Sequence, residues 1–345
     1  MTLPCHIRTN MVRFGILGFG LHAVRRLMPG FAVAKNCKVT ALSRRDLKRA
    51  RESARQFDIP LAFDSAEDLC RSPEVDAVLV TTPNALHLSD VLLAVECGKP
   101  VLCEKPMGVN GDECRRMVEA ARKANLLLGV AQVFRFEEST RRLRERVAEG
   151  QVGKTVFARS EFSFPGRGHA RSWINDALLS GGGPIADIGV HCIDALRYIL
   201  QDEVVRLSAC GRSDADSGAV EAAATVALEF SRGTLGAVLV STRAEYRTPL
   251  EIVGEKGVLR ADDALNVERP VELRLRRGGV VVESETVSNQ GAYARQVDAF
   301  ATAVEGKAAF PVPGEEGWQN QEVLDAAYRS LKSGRAEAVT VIPKH

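Results

Sequence analysis

A short apolar run at 12–17 ends in Gly18-Phe19-Gly20-Leu21-His22-Ala23 and passes directly into a helix-like stretch reaching Leu27. The first glycine permits a tight turn. The second lets the backbone approach a ligand at the positive end of the helix, and Ala23 is small enough for that helix to lie against the strand. As a strand–turn–helix, this G-x-G-x-x-G/A pattern marks a dinucleotide site and opens a doubly wound sheet. The next hundred residues continue it. Apolar runs at 39–42, 75–80, 101–103 and 126–130 alternate with helical segments at 46–57, 85–97 and 112–124. Strands that are apolar on both faces and separated by helices predict a parallel sheet covered on both sides. Asp46 reads as a helix N-cap, and Pro29 is expected to end or kink the first helix.

After Gln132 the texture changes. A charged helix is predicted at 139–149 and a second at 184–200, flanking the stretch 155–164. From Val204 onward strands dominate, at 220–230, 234–243, 249–253, 271–276 and 280–286, joined by turns such as Ser231-Arg232-Gly233 and Arg277-Gly278-Gly279. Connections of hairpin length imply mainly antiparallel pairing. Helices near 291–305 and 315–332 and a short strand at 338–342 close the chain. The fold class is α/β: a doubly wound parallel sheet, then an α+β unit with a mainly antiparallel sheet and helices on one face. A chain of 345 residues accommodates two domains. The expected divisions are a tail at 1–11, a dinucleotide-binding domain at 12–131 and a second domain at 132–345.

Forty-six Lys and Arg against 44 Asp and Glu leave a net charge of +2, too little for bulk attraction to nucleic acid. No run approaches the roughly 18 apolar residues that span a bilayer. No apolar stretch follows Arg8 near the start, so that region does not read as a secretory signal. The expectation is a soluble, cytoplasmic protein with neither nucleic-acid nor membrane partners. The eight cysteines form no C-x-x-C pair, and most sit among apolar neighbours. Buried, reduced thiols are expected, and no metal site.

Residues that could carry chemistry cluster where the apolar runs end. An NAD site usually places an acid after the second strand to hold the ribose hydroxyl. Here that position reads Ser43-Arg44-Arg45, with no acid before Asp46. Ser43 can hydrogen-bond a 2′-phosphate and Arg44 or Arg45 can pair with it, which favours NADP, with NAD as the alternative. If both arginines are merely solvated, the preference stays open. Thr82, Asn84 and His87 follow the third run, at the edge where open α/β sheets hold ligands. Glu104-Lys105-Pro106 follows the next, and Pro106 keeps Lys105 out of the helical conformation. A lysine there can set a cation beside a substrate oxygen, although alone it is an ordinary surface residue.

The segment Gly181-Gly182-Gly183-Pro184-Ile185-Ala186-Asp187-Ile188-Gly189-Val190-His191 brings Asp187 and His191 to one helix face as i and i+4. Its triple glycine would let a cofactor or substrate approach the backbone. With an ordinary pKa near 6.5, a histidine can take a hydroxyl proton and return it. A plain ion pair on a helix face is the competing reading, and a metal site lacks a third ligand. Gly150-Gln151-Val152-Gly153-Lys154-Thr155 ends like a phosphate-binding loop, but it has Ala148 where that loop needs glycine and follows a helix.

In this order and spacing the motifs resemble the glucose–fructose oxidoreductase and inositol dehydrogenase (Gfo/Idh/MocA) family over nearly the whole chain. Glu104-Lys105-Pro106 and the segment from Gly181 to His191 are the most specific parts. The resemblance implies an N-terminal Rossmann domain and a C-terminal domain with a large open sheet, often buried in a homodimer or homotetramer. It implies Lys105, Asp187 and His191 as the catalytic residues. Cofactor contacts would come from Gly18, Phe19, Gly20, Ser43, Arg44, Thr82, Asn84, His87, Glu104 and Lys105, with neighbouring Leu21 and Arg45. Gln132-Val133-Phe134-Arg135 and Arg171-Ser172-Trp173 match stretches that approach substrate, so Arg135, Trp173 and Asp187 are the expected substrate contacts. The absent acid resembles the NADP-using branch. The implied activity is hydride transfer between NADP(H) and a sugar, polyol or related hydroxyl or carbonyl compound. A non-catalytic dinucleotide-sensing regulator and a glycosidase that oxidises, eliminates and reduces on a tightly held NAD are the alternatives.

Overall fold

The computed structural model describes residues 11–166 and 172–343. Residues 1–10 of the expected tail, including Cys5, and Arg171 of the expected substrate stretch lie outside the described residues. Six strands pair in parallel: β1 (Val12–Leu17), β2 (Cys37–Ser43), β3 (Leu61–Phe63), β4 (Ala77–Val80), β5 (Val101–Cys103) and β6 (Leu128–Val130). Their order is β3-β2-β1-β4-β5-β6, so the direction in which strands are added to the sheet reverses between β1 and β4. That switch point opens a crevice at the carboxyl ends of the strands. β4, β5 and β6 are buried at every position, as expected of strands covered on both faces.

The connecting helices are α1 (Met28–Val33), α2 (Leu47–Gln56), α3 (Ala66–Arg71), α4 (His87–Glu96) and α5 (Gly111–Lys123). Asp46, Ser65 and Asn110 cap α2, α3 and α5 by accepting the backbone N–H three residues on. Pro29 does not end the first helix. A π-turn at Ala23–Leu27 leads into α1, where Pro29 falls in the first turn and its missing N–H costs little.

Nine strands form the second sheet: β7 (Thr155–Ser163), β8 (Val204–Arg212), β9 (Ala223–Phe230), β10 (Leu235–Ser241), β11 (Leu250–Gly254), β12 (Gly257–Ala261), β13 (Pro270–Arg277), β14 (Val280–Ser288) and β15 (Glu337–Ala338). The order is β14-β13-β12-β11-β7-β10-β9-β8-β15, antiparallel except for the central β7–β10 pair. The helices of this region are α6 (Glu138–Ala148), α7 (Ala177–Ser180), α8 (Val190–Leu200), α9 (Ala292–Val304) and α10 (Gly314–Ser333). Leu143 of α6, Leu196 of α8 and Leu324 of α10 share one core with Val226, Leu228 and Ile252 of the sheet. The helix expected at 184–200 starts as a π-turn, Ile185–Gly189, before α8 takes over. Leu61–Phe63 and Gly257–Ala261 are too short to show a period and carry no sequence signal as strands. The closing strand shrinks to two residues.

The first core is completed from the far end of the chain. Phe300 of α9 packs with Phe14 of β1 and Phe310, at ring-centroid distances of 6.0 and 5.2 Å. Val130 donates its N–H to Val312 O at 2.9 Å, so the returning strand-like segment also bonds to the sheet edge. Among the described residues all seven cysteines are free, five of them buried, and no helix is long and apolar enough to cross a membrane.

Phe300 is fully buried, so Phe300→Ala should cost about 3–5 kcal/mol of stability. A matching fall in the urea midpoint of unfolding is expected. An unchanged midpoint would show that the returning segment is not part of the first core.

Candidate active site

Gly18 adopts φ +77° because the chain must turn against β4: a Cβ there would lie 2.8 Å from the backbone N of Thr82. Phe19 donates its N–H to Ser43 O at 2.9 Å and turns its ring into the core against Phe57. A Cβ on Gly20 would meet only Gly18 O, at 3.6 Å. The space before this helix start is therefore open, and Leu21 is exposed beside it. Open backbone N–H groups at a helix N-terminus, with no side chain in the way, suit the pyrophosphate of a dinucleotide.

Ser43 is buried at the end of β2, Arg44 donates to Ser53 Oγ at 2.9 Å, and Arg45 is exposed. The Asp46 carboxylate accepts from Arg49 N, so the acid nearest this edge is engaged as a helix cap.

Beyond β4, Thr82 Oγ1 donates to Asp90 and the Asn84 amide to Ser180 O at 2.7 Å. His87 is fully buried, with Nδ1 3.0 Å from Pro106 O and Nε2 2.9 Å from Thr82 O. It ties together the loops after β4 and β5. Glu104, at the end of β5, accepts a contact from His22 Nε2 at 2.8 Å and from Lys105 N at 3.2 Å. Burial alone would raise its pKa, but His22 and Lys105 outweigh it and hold the carboxyl below its ordinary value.

Lys105 crosses to the second layer. Its Nζ lies 2.8 Å from Asp187 O and 3.3 Å from Asp187 Oδ1, with both side chains largely buried. His191 lies in the first turn of α8, its ring edge-on to Phe134 at 4.5 Å and near Phe162 at 6.3 Å. A cation and a carboxylate thus meet where the carboxyl edge of the parallel sheet faces the second domain, with His191 four residues beyond the carboxylate in the chain. Among the described residues no group of His, Cys, Asp or Glu side chains could hold a metal ion. Asp187 also lines a small cavity with Pro184, Asn175, Glu221, Thr242 and Arg243. Arg243 is fastened to Asp214 at 2.6 and 3.0 Å, which holds the Asp214 carboxyl at a pKa of about 2.

Two expected substrate contacts are placed differently from Asp187. Arg135 is buried and bound to Asp194 at 2.6 Å and Glu316 at 2.8 Å, beneath Tyr198. Its guanidinium belongs to an ion-pair cluster that includes Arg197, Glu203 and Asn320. Trp173 lies in the turn Ser172–Asn175, whose Ile174 and Asn175 line the cavity. Gly183 of the triple glycine lines this cavity as well. Each of the three glycines packs against the protein itself: Gly181 on Val109, Gly182 on Tyr328 and Gly183 on Glu221. No spacing in the sequence links Glu221 or Tyr328 to that segment.

Comparison with known proteins identifies the family. The family model described as an oxidoreductase family with an NAD-binding Rossmann fold matches residues 12–132, and the GFO/IDH/MocA C-terminal domain matches residues 140–260. The D-xylose 1-dehydrogenase (NADP(+)) 2 of Haloferax volcanii is 32% identical over 325 residues, covering 94% of this chain and 98% of that protein. The 1,5-anhydro-D-fructose reductase of Ensifer adhaerens is 29% identical over 332 residues, covering 95% and 99%. The crystal structure of aldose-aldose oxidoreductase from Caulobacter crescentus, complexed with glycerol, has a TM-score of 0.89 at 26% identity, covering 96% of this chain and 100% of that one. The chain is a member of the GFO/IDH/MocA family of NAD(P)-dependent oxidoreductases, with an NAD(P)-binding Rossmann domain before its family-specific C-terminal domain.

Proposed function

We propose that the protein transfers hydride between NADP(H) and a neutral sugar, polyol or related hydroxyl or carbonyl compound. The observation that carries this reading is Lys105 Nζ held 2.8 Å from Asp187 O at the mouth of the dinucleotide crevice, with His191 one helical turn beyond. In the oxidative direction His191 accepts the hydroxyl proton as hydride leaves the same carbon. Lys105 stabilises the oxyanion that develops, and Asp187 orients the substrate through a hydroxyl. The nicotinamide would supply or take the hydride. Asp187 lines the adjoining cavity, while Arg243 is neutralised by Asp214. Among the described residues that wall is therefore suited to hydroxyl groups rather than to a substrate carboxylate. The sugars named for the Haloferax and Ensifer relatives support the same class.

The absence of a free acid after β2, with Ser43 and Arg44 in its place, supports NADP, as does the cofactor named for the Haloferax relative. The open face of the second sheet supports assembly into a homodimer or homotetramer. Phe157 and Leu235 are cross-strand partners there, each about half exposed, and the helices cover the other face.

His191→Ala should lower kcat by about 10²- to 10⁴-fold across a panel of aldoses and polyols, with NADPH affinity unchanged. Normal turnover by this variant would remove His191 from the reaction. Nicotinamide fluorescence should report tighter binding of NADPH than of NADH, and Arg44→Ala should weaken NADPH binding about tenfold while sparing NADH. Equal affinities would sink the NADP assignment. Phe157→Asp with Leu235→Asp should reduce the sedimenting species to a monomer; an unchanged mass would place any interface elsewhere.

A further inference from the structure

We propose that Glu221 and Tyr328 form a positioning clamp that sets the turn carrying Asp187 and His191. Glu221 sits just before β9, where Ala222 bonds to both Arg212 O and Thr242 N at the ends of β8 and β10. Its side chain is buried and points back at the glycine segment. Oε2 accepts the N–H of Gly183 at 3.1 Å, and Oε1 accepts the N–H of Ile185 at 2.9 Å. These donors open the π-turn and have no acceptor within it, so an outside acceptor is needed. Tyr328, from the middle of α10, donates its hydroxyl to Glu221 Oε1 at 3.1 Å. Its Oη occupies the place of a side chain on Gly182, whose Cβ would fall 1.8 Å away, while a Cβ on Gly183 would fall 2.3 Å from Glu221 O. The glycines at 182 and 183 are thus the socket of the clamp.

The grip reaches the site in one step, because Asp187 donates its N–H to Gly183 O at 3.0 Å. Asp187 O and Oδ1 are in turn the two atoms that hold Lys105. A turn free to slide would move the carboxylate, the lysine and the start of α8 together. Displacement of reacting groups by about 1 Å is enough to cost a hundredfold in rate. The carboxylate is suited to the task because two N–H donors and a hydroxyl converge on it, which partly counters the burial that still holds its pKa above the ordinary value. This inference rests on the proposed roles of Lys105, Asp187 and His191.

The test compares Glu221→Gln and Tyr328→Phe with the parent and with His191→Ala, all as full chains. NADPH binding gives the number of functional sites, and thermal unfolding reports the fold. Histidine-selective NMR follows the His191 ring, identified by its loss in His191→Ala. In both clamp variants the His191 signals should shift while NADPH affinity stays within about twofold. Turnover of the aldose and polyol panel, counted per NADPH-binding site, should fall about 10- to 100-fold in kcat with little change in KM. Unshifted His191 signals in both variants overturn the clamp, whatever happens to stability. So does parental kcat per site when His191→Ala is inactive. If His191→Ala remains active, the proposed function fails instead, and the NMR comparison alone decides whether the clamp exists.

Discussion

Lys105, fixed at the edge of the parallel sheet, bridges the two layers at the candidate site by reaching the backbone carbonyl and carboxylate of Asp187. A largely buried ion pair is not by itself a source of stability, since desolvation of both charges opposes their attraction. What the pair does is geometric. It brings a cation from one core to a carboxylate on another, and only the folded arrangement of both domains sets that distance. Glu104 keeps its charge beside Lys105 because His22, at the start of the helix after the glycine turn, bonds to it. The dinucleotide loop, the β5 edge and the second domain are in this way electrostatically connected.

Several residues near that bridge act on loops. His87 spans two loop carbonyls and Asn84 crosses to Ser180 O, so the turn after β4 is tied both to the Lys105–Pro106 loop and to the second domain. Burying such polar groups is tolerable only because each finds a partner. The result is a crevice whose walls are held from behind, leaving the open face at Gly20 for a ligand. The return of the chain through Phe300 and Phe310 has a similar effect at larger scale: it covers β1 and β6 with residues that follow β14. The two layers are folded around each other and not simply strung in sequence.

Arg135 shows how distant segments set a motif residue's surroundings. Its position in the sequence suits a substrate contact, yet Asp194 and Glu316 arrive from α8 and α10 and take its guanidinium. The triple glycine shows the same thing in reverse. Its smallness is needed, but what fills the space is Tyr328 and Glu221. In both cases the deciding partner lies tens of residues or more away in the chain, and local pattern carries no information about it.

The doubly wound unit was legible from periodicity and turn chemistry, because buried parallel strands demand apolar runs and helix starts demand caps such as Asp46. The G-x-G-x-x-A turn was equally legible, since the positive φ at Gly18 and the open backbone at Gly20 belong to the turn itself, although the close neighbour that Gly18 spares, Thr82, is distant in sequence. Lys105, Asp187 and His191 stood out as motifs, with no indication that the first two would touch. Tertiary structure decided that contact, the parallel β7–β10 pairing, the π-turn that replaces the first turn of the expected helix, and the closure of the first core by Phe300. These depend on distant segments meeting in a particular register, and the free energy that selects it comes from packing and charge partners that no window of sequence contains.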